Sequence, residues 1–70
     1  MRDNLDLAAS AQELADAAPT GSIDHAAASS VAITLATTRD IDDARKTLQG
    51  VSPEEVKRAA LALFDRLSAQ

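Results

Sequence analysis

The chain has no cysteine, no tryptophan and no tyrosine, and a single phenylalanine, Phe64, among 70 residues. Without thiols there is no disulfide, no thiolate nucleophile and no cysteine metal site. One histidine, His25, gives a His-based metal cluster nothing to build from. One aromatic ring makes no stacking surface for single-stranded nucleic acid. With only Gly21 and Gly50, no glycine-rich phosphate loop is possible. No serine lies in a G-x-S-x-G elbow, and no base is placed to activate one. Basic residues are in deficit, seven against eleven acids, and the net charge of −4 disfavours a phosphate backbone as partner. There is no run of about 20 apolar residues to span a bilayer. Behind Met1-Arg2-Asp3-Asn4 there is no apolar stretch that reads as a secretory leader, so a cytoplasmic setting is expected. These absences lead to a non-enzymatic reading, with no cofactor, no metal and no small-molecule substrate.

One further absence is local. Between Ala26 and Thr38 there is no charged side chain, in a chain that is 26% charged as a whole. The segment is rich in Ala, Ser, Thr, Val, Ile and Leu, and it reads as a helix. A surface helix has a polar side. This one has no obvious wet face, so it needs cover from the rest of the chain or from another molecule. Its Ser and Thr hydroxyls can return to the helix's own carbonyls and do not force it into water.

What is present is apolar but small. Hydrophobic residues make up 46% of the chain, and half of them are alanine. A chain this short buries a modest fraction of its surface and has no staple to compensate. It makes one domain, 1–70.

Breakers at Pro19–Gly21, Thr38–Asp40 and Gly50–Pro53 divide the chain into four helical segments, and no strand pattern is found. The fold class is all-α, a compact four-helix bundle with helices at 4–18, 23–37, 41–49 and 53–68 and helix two at its centre. Asp3 or Asn4 caps the first helix, whose stripe is Leu7, Ala11, Leu14, Ala15 and Ala18. Pro19 closes it. Ser22 caps the second helix. Its Ile23, Val31, Ile33 and Leu35 spread around the cylinder, and Ala28, Ala32 and Ala36 form a smooth ridge. Asp40 caps the third, with Ile41, Ala44 and Leu48 on its buried side and Gly50 as a left-handed stop. Ser52-Pro53-Glu54-Glu55 reads as a capping box with proline at the first helical position, and Val51 with Val56 as a hydrophobic staple. On the fourth helix Val56, Ala60, Leu63 and Leu67 share one face, while Leu61, Phe64 and Ser68 form a second.

The acidity follows from helix chemistry. Asp3, Asp6, Asp24, Asp40, Asp42, Asp43, Glu54 and Glu55 lie at or just inside helix starts, eight of the eleven acids. A helix N-terminus carries about half a positive charge, so carboxylates stabilise it. This accounts for the acidity without an acidic docking face. His25 has only Asp24 beside it, and adjacent helix residues do not face each other. Asp42-Asp43 and Glu54-Glu55 lack the alternating oxygens and glycine turn of a calcium loop.

The string Leu48-Gln49-Gly50-Val51-Ser52-Pro53-Glu54-Glu55-Val56-Lys57-Arg58-Ala59 resembles the middle of a helix-turn-helix DNA-binding motif. The resemblance covers about a quarter of the chain and implies Lys57 and Arg58 as nucleic-acid contacts. It departs from the motif at Lys46, where a small residue is usual, and at Gln49, where an apolar one is. Glu54-Glu55 sits at the front of the implied recognition helix, where direct readout uses Arg, Lys, Asn or Gln.

The first functional expectation is therefore a small acidic protein–protein interaction module, of bacterial or phage type. It self-associates as a homodimer, or takes a partner helix, through a face of Ala28, Ala32, Ile33, Leu35, Leu61 and Phe64. An isologous two-fold contact is the commonest closure of such a surface. The alternatives are a helix-turn-helix regulator or accessory factor, and an inhibitor, antitoxin-like or docking protein that acts on a protein target. Nucleic acid is the disfavoured partner and a membrane is not expected.

Overall fold

The breakers do their work through identifiable hydrogen bonds. In the computed structural model, which describes residues 4–69, four helices run over Asn4–Ala17 (α1), Ile23–Thr37 (α2), Ile41–Leu48 (α3) and Glu54–Ser68 (α4). This is the compact four-helix all-α bundle that the sequence predicts, with α2 in the central place. Asp3 lies outside the described residues. Asn4 is the first residue of α1, and its side chain is turned to α2.

Pro19 ends α1, and Gly21 turns the chain with φ +91, a left-handed conformation that costs glycine little. The Ser22 hydroxyl donates to the Pro19 carbonyl at 2.7 Å and accepts from the His25 N–H at 3.1 Å. One side chain thus closes the turn and caps α2. Asp40 caps α3 in the same way, its carboxylate accepting from the Asp43 N–H at 2.8 Å.

Two caps differ from expectation. Gly50 does not take the left-handed stop, since Gly21 is the one glycine with positive φ. Instead α3 tightens into i→i+3 bonds: Gly50 N–H donates to Thr47 O and Val51 N–H to Leu48 O, both at 3.1 Å. The helix also ends one residue early, at Leu48. The capping box at Ser52 does not form. Pro53 is the cap residue, with φ −71 and ψ 173, and no side chain caps α4. Its extended ψ starts the helix at Glu54, which leaves Ser52 a residue too far from the first-turn N–H groups. Val51 packs against the core, and Val56 is half-buried.

α1 and α2 run antiparallel and are pinned at both ends. The Asn4 side-chain amide donates to the Thr38 carbonyl at 3.3 Å, and His25 Nδ1 lies 2.8 Å from the Ala15 carbonyl oxygen. Between these pins Leu7, Ala8, Ala11 and Ala15 meet the buried face of α2, made of Ala27, Ala28, Val31, Ala32, Thr34 and Leu35. Leu14 leaves the stripe the sequence assigns it to and is 41% exposed. α4 packs mainly on α2 and buries Ala60, Leu63, Phe64 and Leu67. α3 adds Ala44 and Leu48. The largest fully buried side chains are Phe64, Leu7, Leu35, Leu48 and Val31.

The charge-free segment is enclosed on one side by its own chain. Its outer side faces solvent without charge, with Ile33 64% exposed and Ala36 and Thr37 also exposed. Among the described residues, no helix is long and apolar enough to cross a membrane.

Candidate functional site

α1 and α4 both pack on α2 and barely touch each other. Where they splay apart, over the N-terminal half of α2, an open groove of about 480 Å³ remains. Its floor is buried: Ala27 and Ala28 of α2 and Leu63 of α4. Leu14, Ala17 and Ala18 form one wall, from the last turn and end of α1. Ala59, Ala62 and Arg66 form the other, from the outer flank of α4. Asp24 closes the end at the first turn of α2.

The walls of the groove are mostly alanine, with Leu14 as their one larger apolar side chain. The floor is apolar and uncharged, while the rim carries one carboxylate and one guanidinium. Asp24 and Arg66 are both exposed. Among the described residues the ion pairs are Arg45–Asp65 at 2.7 Å and Lys57–Glu54 at 3.3 Å, so neither rim charge is paired.

The residues expected to form one contact face are dispersed by the fold. Ala28 lies on the groove floor. Ala32 and Leu35 are buried in the core at 5% and 1% exposure. Phe64 is fully buried, and the Arg45 guanidinium of α3 lies 5.0 Å from its ring centroid. Leu61 is half-buried and packs against the core. At about 100° per residue, Ile33 stands on the far side of α2 from Ala28. Five of the six expected residues therefore lie outside the groove, and of the six only Ile33 is exposed. The second face of α4 is part of the bundle's own packing: Phe64 is fully buried with Arg45 of α3 over its ring, and Leu61 packs against the core.

The nucleic-acid candidates fare differently from one another. Arg58 is exposed, while Lys57 is half-buried and its ammonium pairs with Glu54 within the first turn of α4. His25 is half-buried and engaged with the Ala15 carbonyl. Its position serves the α1–α2 junction. Among the described residues, no three His, Cys, Asp or Glu side chains gather where a metal ion could sit.

Sequence reasoning names Ala28 but misses the remaining groove residues. The available signal was alanine off the assigned faces of two different helices, Ala17 on α1 and Ala59 and Ala62 on α4. These read as solvent-facing filler until the helices are placed. No protein family, no curated protein and no solved structure matches the chain.

Proposed function

We propose that this chain is a small non-enzymatic protein–protein interaction module that self-associates as a homodimer, with the groove over α2 as its contact. The observation that carries the reading is the unfilled apolar groove of about 480 Å³. The floor is already dry, so filling the groove removes chiefly its exposed apolar walls, Leu14, Ala17 and Ala62, from water, which favours association. The side chain for the task stands at the rim: Leu14 is 41% exposed beside the groove. A second copy brings a second Leu14 to the first copy's groove, and the two contacts close on each other as an isologous pair.

The contact is smaller than a standard interface, so affinity in the range of roughly 1–100 µM is expected. Sedimentation equilibrium from low micromolar to about 500 µM tests it, with circular dichroism to show the chain folded. A monomer–dimer equilibrium supports the reading. A folded 7.3 kDa monomer across the whole range ends it.

A further inference from the structure

We infer that the dimer is set in one orientation by a reciprocal ion pair, Asp24 of each copy against Arg66 of the other, astride a shared apolar contact at Leu14. The inference rests on the self-association reading and names the side chains that determine its specificity. Three features of the groove carry it. Asp24 and Arg66 sit on different helices at its rim, and both are exposed. Among the described residues neither has an ion-pair partner. Their signs are opposite, so the rim is complementary to itself: a two-fold rotation that brings the Asp24 end of one groove to the Arg66 side of the other pairs both charges at once. A parallel placement, which sets like charges together, is rejected. Complementary charge of this kind fixes register and excludes wrong partners more than it adds affinity. Leu14 and the exposed wall alanines, Ala17 and Ala62, supply the attraction.

The test is a charge-swap cycle read by sedimentation velocity. Asp24→Arg alone and Arg66→Asp alone each set two like-charge contacts against each other across the two-fold, and each is expected to weaken the dimer by about tenfold or more. The double variant Asp24→Arg/Arg66→Asp restores both pairs with signs exchanged and is expected to recover association to within about threefold of the parent. The double variant keeps the cost of placing charges of the wrong sign at both helix ends. Its recovery therefore cannot come from improved folding. Ile33→Glu, away from the groove, is expected to leave association unchanged. If the parent dimerises and both single reversals leave it intact, or the double fails to recover while still folded, the ion-pair assignment is wrong and the self-association reading stands. If Ile33→Glu alone abolishes the dimer, the contact is the outer face of α2. A parent chain that stays monomeric removes the reading itself.

Discussion

Gly21 and Gly50 look alike in the sequence, each just beyond a helix, and the structure separates them. Gly21 has φ +91, where a Cβ is strained whatever the space around it. Gly50 has ordinary backbone, and an added Cβ meets only the Thr47 carbonyl oxygen at 3.5 Å. Gly21→Ala is therefore expected to destabilise the chain by about 1–2 kcal/mol. Gly50→Ala is expected to be neutral or to stabilise by up to about 1 kcal/mol, because it removes freedom from the unfolded chain. Thermal melts of the two variants check both. Phe64 and Leu61 make a second contrast. Both read as a side face of α4, yet Phe64 is fully buried and Leu61 only half-buried. Phe64→Ala is expected to cost about 3–5 kcal/mol, a large share of a small domain's stability. Leu61→Ala should cost clearly less, and urea denaturation would show the difference.

At the scale of the helix, start signals were more legible than stops and faces. α2 begins and ends where the sequence places it, because Ser22 supplies a cap oxygen and Gly21 the turn before it. α3 starts behind Asp40 for the same reason. The strongest-looking signal, Ser52-Pro53-Glu54-Glu55, misled, since a cap depends on the backbone angle of Pro53 and not on residue order alone. Capping substitutions put this to a direct test. Ser22→Ala and Asp40→Ala are each expected to lower stability by about 1 kcal/mol. Ser52→Ala, which removes no cap hydrogen bond, is expected to stay within about 0.5 kcal/mol of the parent. Equal losses at all three positions in chemical denaturation would contradict the cap assignment. Faces were legible where one large residue leads the stripe, as with Leu7 or Leu48. They were not legible where alanine dominates. Leu14 belongs by spacing to the buried stripe of α1, but its neighbours across the gap are too small to reach it.

The bundle as a whole is alanine-rich packing around one helix that carries no charge beyond its first turn. The sequence predicts four helices with α2 central, and the structure has that arrangement. The expected contact face was the part the sequence could not locate. Which flank of α4 is covered depends on where an eight-residue α3 docks, and Arg45 over Phe64 settles that only in three dimensions. The open flank is the other one, Ala59, Ala62 and Arg66, facing Leu14 and Asp24 across the floor of α2. A second copy is proposed to fill this gap. Amide chemical shifts followed from about 10 to 500 µM protein test it most directly. Concentration-dependent shifts are expected at Leu14, Asp24, Ala27, Ala28, Ala62 and Arg66, with the amides around Ile33 unmoved. A spectrum that does not change with concentration, or shifts confined to the Ile33 side of α2, would contradict it.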